Sequence, residues 1–458
     1  MSAPAAVRSG YRALLSVAAP LAGVQLAQVA LTTTDLAMLG TLDVTAVAAG
    51  GLAILLYNQV RTMCVGVVTP LGNMVAGAAG RADGAADAPG GDTGLAGETR
   101  GLVRSGLAMA SVVGVLAALV LVLLGGVLPW FGQAESVVAV ALPVMAALAP
   151  GLVPMLWLNV LRQFAVGMQR PGSLLGVTIV SIGVNLVLDG GFLHGWLGMP
   201  VLGATGVGVA TTLVQLFNVA VYYAMLRRDR VLSSGLSLRV WKADRRRVRE
   251  LVRLGVPVAL TYGSEAGITS VATLVMGAFG PLALAAHSVV NQVAYIVYQT
   301  MIGLSQGASI LVSRAAGGTD AATGEARRVA VRAFVIAGAL QAVLAAVYLV
   351  APGAVLRPFL DPQDTAVLGL ASTLLLIAIV QQVTKGTQNI AVGLMRGLRD
   401  TRAGFRASVV GYWAVGVPAM LLLGPVLGLD GPGVWLGLGC GFGTTAVLLV
   451  RRFAGAVR

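Results

Sequence analysis

The sequence predicts an all-α integral membrane protein, with twelve transmembrane helices in two parallel six-helix repeats. Three observations predict it. The 458 residues are 57% hydrophobic and only 11% charged, with a mean hydropathy of +0.87, where a soluble domain carries about 25% charged residues. Apolar runs long enough to cross a bilayer recur along the whole length. Basic residues gather in every other connection, the asymmetry of the positive-inside rule.

The apolar runs place spans at 12–38, 44–78, 102–126, 137–166, 172–193, 203–226, 254–279, 283–313, 329–352, 364–395, 407–424 and 431–450. The opening MSAPAAVRSGYRALL lacks the short apolar core and small-residue cleavage site of a signal peptide, so the first span is expected to be retained. Of 31 basic residues, 28 fall in alternate connections, termini or the helix ends beside them, from Arg8 and Arg12 to Arg451, Arg452 and Arg458. The other connections hold Arg357 alone, and Arg61 and Lys385 lie inside spans. Both termini are therefore expected in the cytoplasm, and a multi-pass plasma (inner) membrane location is expected.

The net charge of +13 belongs to this asymmetry. Basic residues beside membrane spans meet anionic lipid head groups, so membrane lipid is the expected partner and nucleic acid is not. No G-x-x-x-x-G-K-[ST] phosphate loop occurs, so ATP is not the obvious energy source. Cys64 and Cys440 both lie in apolar helices and read as small core residues rather than a disulfide or metal pair.

A shift of 237 residues lays Val17–Gly80 over Leu254–Gly317 without a gap. Pro20 meets Pro257, Gly40 meets Gly277, and Gly66 meets Gly303. The domains expected are an amino-terminal lobe over 1–226, a basic cytoplasmic linker over 227–253 and a carboxy-terminal lobe over 254–458. Six spans per half make the repeats parallel, and repeated halves with a site within or between them mark a transporter. The connection RADGAADAPGGDTGLAGETR reads as a flexible loop.

Of 18 carboxylates, Asp35, Asp189 and Glu265 alone fall deep in spans. A charge there costs roughly 3 kcal/mol or more, so each needs a reason. Gln25, Gln28, Thr32 and Asp35 share one stripe of the first span, and Thr178, Ser181, Asn185 and Asp189 share one of the fifth. The sixth offers Thr211 and Thr212. Thr261, Glu265 and Thr269 line the seventh. Asn291, Tyr295 and Tyr298 line the eighth, with Gln292, Gln299 and Gln306 beside them. Gln381, Gln382, Lys385, Gln388 and Asn389 mark the tenth. Such stripes belong against each other or a water-filled cavity rather than against lipid. Carboxylates with an amide and a hydroxyl suit a cation: Na⁺ takes oxygen ligands, and a proton takes a desolvated carboxylate. Asp35 and Asp189 suit either ion.

The pattern resembles the multidrug and toxic compound extrusion (MATE) transporters, bacterial multidrug branch, over nearly the whole chain. PLAGVQLAQVALTTTDLAMLG, VNLVLDGGF, LGATGVGVATTL, LGVPVALTYGSE, AAHSVVNQ and AVGLMRGLRDTRAGF carry the resemblance. It implies two six-helix lobes around a central cavity, and a secondary active antiporter that exports amphipathic small molecules in exchange for H⁺ or Na⁺. It implies no cofactor beyond that ion and no enzymatic activity, and the protein is expected to work as a monomer. The family's amino-lobe cation site maps onto Asp35, Asn185, Asp189 and Thr211, and its helix-7 acid onto Glu265. Tyr262, Tyr295, Tyr298 and Gln299 become candidates for the drug surface, and Pro20 a kink before Asp35.

One departure stands out. Where that branch often has a helix-10 aspartate, this chain has Lys385, which is placed to pair with Glu265 or to snorkel. Arg61 is a second oddity, a partner for a carboxylate or for an anionic group on a substrate. His287 reads as a packing or gating residue and His194 as an outer-loop residue. Two alternatives remain: a lipid-linked precursor flippase of the same superfamily, and an intramembrane prenyltransferase-type enzyme. The latter needs clustered carboxylates for Mg²⁺, and the one D-x-x-x-D pair, Asp83 and Asp87, sits in the Gly/Ala-rich connection.

Overall fold

A computed structural model describes residues 10–42, 44–84, 91–131, 135–318, 322–360 and 364–457. Arg8, Asp87 and Arg458 lie outside them. Among the described residues there is no strand. A chain this apolar must satisfy its own backbone groups, and within a membrane only helices or closed barrels do so.

Among the described residues, twelve long helices result. In the first half they are α1 Tyr11–Leu39, α2 Thr45–Gly84, α3 Gly94–Trp130, α4 Glu135–Gly167, α5 Leu174–His194 and α6 Thr205–Arg228. In the second they are α7 Arg245–Ala278, α8 Pro281–Gly317, α9 Thr323–Val350, α10 Thr365–Gly397, α11 Thr401–Val426 and α12 Asp430–Ala456. Ten are long and apolar enough to cross a bilayer. The other two, α7 and α8, are 34 and 37 residues long and carry polar residues among the apolar ones, Glu265 on one and Asn291, Gln292, Gln299 and Gln306 on the other. On α3, the residues Val112, Val115, Leu116, Leu119, Val120 and Leu123 are all exposed along one helical stripe. An apolar stripe turned outward is what hydrocarbon solvates.

Helix ends and breaks follow local chemistry. Pro70, which has no N–H to give, interrupts α2 after Thr69, whose hydroxyl turns back to Val65 O at 2.7 Å. Gly280, at φ +102°, separates α7 from α8, and Pro281 opens α8. Part of α11, Val409–Gly416 and again Leu422–Val426, is wound as π-helix. There Gly411 and Gly416 pack against Gly441 of α12 with no room for side chains.

The expected flexible connection after α2 is helical on both sides of residues 85–90: α2 runs to Gly84, and helix resumes at Gly91. Residues 85–90 of that connection lie outside the described residues, and an Arg81–Glu98 ion pair at 2.6 Å joins the two helices beside them. The basic linker is also ordered. Leu232 is buried in the amino-terminal core, Arg100 donates to Ser234 O at 2.7 Å, and Arg104 donates to Ser237 Oγ at 2.9 Å. Helix α7 begins at Arg245, inside the stretch read as linker.

The chain forms two compact units. One is Gly23–Ala259; the other joins the start of α1, through Ala22, to Leu260–Arg458. The two switch points, Ala22 and Ala259, are separated by the same 237 residues as the sequence repeat. Each unit therefore takes in the opening of the other half's first helix. In the amino unit Gly255 of α7 lies on Val67 of α2, and in the carboxyl unit Gly303 and Gly307 of α8 lie on Ala22 and Ala18 of α1.

The repeat also sets how α4 and α10 end. Gln169 and Arg399 both adopt left-handed backbone, φ +58° and +63°. The next N–H closes the helix in each case, Arg170 to Ala165 O at 2.8 Å and Asp400 to Met395 O at 3.0 Å. Each turn is then tied to the end of the last helix of its half. Arg170 pairs with Asp229 at 3.0 Å and Asp400 with Arg452 at 2.6 Å, with the charges exchanged.

Candidate functional site

In the amino unit, helical periodicity turns the polar stripe of α5 inward. Ser181, Asn185 and Asp189 are buried, while Ile179, Val180, Leu186 and Val187 face out. Asn185 Nδ2 lies 2.6 Å from Asp35 Oδ1 on α1 and 2.6 Å from Asp189 Oδ2 on its own helix. One amide thus donates to two carboxylates that are 5% and 0% exposed. Thr211 of α6 faces Asp35 and is 4% exposed. Among the described residues, the buried oxygens Asn185 Oδ1, Asp189 Oδ1 and Thr211 Oγ1 make no hydrogen bond of good geometry, although Asp35 lies close to both Asp189 and Thr211. Buried acceptors in proteins are normally paired, so this cluster has the oxygen set a monovalent cation or a proton needs. The four residues assigned from sequence lie together.

A cavity of about 60 Å³, room for a few waters, opens beside them. Gln28, Thr32, Asp35, Arg61, Thr178, Ser181 and Thr211 line it. Gln25 is not among its lining residues. Arg61 is half-buried and has no ion pair or hydrogen bond among the described residues. Five further polar residues line the same cavity and were missed: Tyr57, Asn58, Asn159, Gln215 and Asn218. Tyr57, Asn58 and Arg61 share one face of α2, and Thr211, Gln215 and Asn218 share one of α6. Those spacings were the available signal. Thr212, the neighbour of Thr211, instead donates to Ala147 O at 2.7 Å, tying α6 to α4.

In the carboxyl unit, Lys385 Nζ lies 3.4 Å from Glu265 Oε1, each side chain 14% exposed. The Lys385 ammonium also sits 4.2 Å from the Tyr298 ring centre and 5.1 Å from that of Phe442. Asn389 donates to the Tyr298 hydroxyl at 2.6 Å. Tyr262 is separate: its hydroxyl accepts from Arg396 Nη1 at 3.0 Å, a buried arginine in the last turn of α10. Gln299 is buried with its Oε1 unpaired, whereas Tyr295 is 45% exposed. The α8 face read as one drug surface is thus divided, with Tyr298 against Lys385 and Tyr295 in the open.

His287 is buried edge-on to Trp435, ring centres 5.7 Å apart, with Nε2 3.1 Å from Thr273 Oγ1. His194 closes α5 and meets Thr41 Oγ1 at 2.9 Å.

The profile of the MatE family matches residues 97–189 and 257–422. A probable multidrug resistance protein NorM of Pseudomonas aeruginosa is 36% identical over 458 residues, 99% of this chain and 90% of that protein. Its namesake in Brucella suis is 32% identical over 441 residues, 95% of this chain and 90% of that protein. Among solved structures, a eukaryotic MATE transporter superimposes with a TM-score of 0.80 at 19% identity, covering 98% of each chain. An outward-facing multidrug resistance MATE family transporter gives 0.83 at 17% identity, covering 100% of this chain and 98% of that one. The relatives are named as multidrug resistance proteins and the family is one of transporters rather than enzymes. The chain belongs to the MatE family of multidrug transporters.

Proposed function

We propose that the protein is a secondary active antiporter that exports amphipathic small molecules in exchange for H⁺ or Na⁺. The observation that carries this reading is the Asn185 amide shared between Asp35 and Asp189, with three buried oxygens left open around it. Two carboxylates held this close in a low-dielectric site repel each other. One bound cation cancels part of that charge, and its release restores it. Asp35, Asp189 and the oxygens of Asn185 and Thr211 would hold the ion; no other cofactor enters the reading.

The ion then acts by differential affinity. If it binds one conformation of the transporter more tightly than the other, an inward gradient drives the population toward the state that releases the drug. The polar cavity that adjoins the carboxylates supports a hydrated path for the ion to reach them. Relatives named as multidrug resistance proteins match almost the whole chain, which supports drug-like cargo over a lipid-linked precursor. The basic connections on one side support an inner-membrane location with both termini cytoplasmic, the chain working as a monomer.

The test is flux in proteoliposomes loaded with a fluorescent cationic amphiphile. A pH gradient and a Na⁺ gradient are imposed separately on the wild type and on Asp35→Asn. Movement driven by one gradient and lost in the variant is expected. Movement that Asp35→Asn leaves unchanged would refute the site.

A further inference from the structure

We propose that Lys385 is a tethered counter-ion. Its ammonium fills a cation site of the carboxyl unit built by Glu265, Tyr298 and Phe442, which leaves exchangeable cation binding to the amino unit. This deepens the antiport reading and rests on it only for the consequence for ion count.

The site has the parts of an ammonium receptor. A carboxylate stands 3.4 Å from Nζ, and two aromatic rings stand 4.2 and 5.1 Å from it. Both rings fall within the roughly 6 Å over which a ring face attracts a cation. The walls are held by residues other than Lys385. Asn389 fixes the Tyr298 hydroxyl at 2.6 Å, and Tyr412 packs edge-on against Phe442 with ring centres 5.3 Å apart. The Tyr298 and Tyr412 side chains also feel the charge of Glu265. The receptor is therefore preorganised, and the chain's own ammonium sits in it.

Tethering decides the competition. An ammonium on a four-carbon stem has an effective concentration of order millimolar or more at its own site. A free monovalent cation, which brings no extra contact, gains little by displacing it. Within the carboxyl unit the paired charges of Glu265 and Lys385 cancel. In the amino unit no lysine is paired with Asp35 or Asp189 among the described residues; Asp35 lines the cavity together with Arg61, and Asn185 links it to Asp189.

Replacing Lys385 by Ala removes the atoms of propylammonium from the box, so n-propylammonium is the probe. Purified wild type, Lys385→Ala and Lys385→Ala with Glu265→Gln are titrated with it by calorimetry, against sodium chloride at matched ionic strength. We expect at least tenfold tighter propylammonium binding to Lys385→Ala than to the wild type, and loss of that gain in the double variant. Equal binding to all three would overturn the proposal. Should Lys385→Ala not yield folded protein, Lys385→Gln, Glu265→Gln and their combination are compared by melting temperature. A double variant that loses less than the two single losses combined supports the pair, and additive losses overturn it. Neither readout depends on transport, so a liposome experiment that refutes antiport leaves this result standing, and the reverse also holds.

Discussion

Asn185 and Asp35 lie 150 residues apart in sequence, and the amide of one stands 2.6 Å from the carboxylate of the other. That bond joins α5 to α1 inside the amino unit. Because the same nitrogen also serves Asp189, the three side chains act as one electrostatic unit.

Asp35→Asn tests the charge and spares the shape. The new amide oxygen still accepts from Asn185, so the helix contact survives. Ion-driven drug flux in proteoliposomes is expected to fall at least tenfold, with a melting temperature close to wild type. A collapse in melting temperature would show instead that the carboxylate is structural.

Asn185→Ala removes the donor and leaves both carboxylates. Each loses a buried partner, which costs about 1–3 kcal/mol per unsatisfied group. Thermal unfolding in detergent is expected to show the loss, and added coupling ion to recover part of it. Full stability without ion would mean that water replaces the amide at no cost.

Arg61→Gln removes a like charge from the cavity the coupling ion must enter. A unit charge about 10 Å away contributes of order 1 kcal/mol at an effective dielectric of 20. The concentration of coupling ion that half-saturates flux is therefore expected to fall about fivefold. An unchanged value would place the guanidinium beyond electrostatic reach of Asp35.

Asp400 has two tasks and Arg452 one. Asp400 Oδ1 accepts from Ala403 N at 3.2 Å, capping α11, while Oδ2 pairs with Arg452. Losing a cap costs about 1 kcal/mol, and losing an exposed ion pair costs less. Asp400→Ala is thus expected to lower the melting temperature more than Arg452→Ala does; equal shifts would show that the cap contributes nothing.

Asp229 gives the matching pH signature in the other half. Partial burial works to raise its pKa. The N–H groups of Leu232 and Val231 and the Arg170 guanidinium outweigh that, and hold the carboxyl below its ordinary 3.8. A depressed folded value means the contribution is present above 3.8 and is lost as pH falls through the lower value. Arg170→Ala should therefore narrow the stability difference between neutral and strongly acidic pH by less than 1 kcal/mol. An equal pH dependence in variant and wild type would count against the pair.

How much of this was legible depended on periodicity. Asp189 and Asn185 could be placed on a buried face because four polar residues recur on one side of α5. Asn159 was passed over, although the buried Arg162 and Gln163, three and four residues on, share its face of α4. Lys385 and Glu265 were readable as a possible pair, but Phe442 was not, because an aromatic residue in α12 looks like any lipid-facing or core side chain. Arg396 shows the limit at helix ends: a basic residue there reads as cytoplasmic, and only the fold reveals that it turns inward to Tyr262.

The exchanged charges at the two helix corners bear on how a duplicated chain assembles. Arg170 and Asp400 occupy matching turns, each reaching for the last helix of its own half. Had both turns kept one polarity, either could have latched onto either helix end while the spans were still sorting. With the polarity reversed, a mispaired Arg170 would meet Arg452 and a mispaired Asp400 would meet Asp229, like charge against like. Discrimination of this kind needs only that the wrong partner be penalised. A duplicated gene supplies two interchangeable corners; one swapped ion pair makes each recognise its own helix.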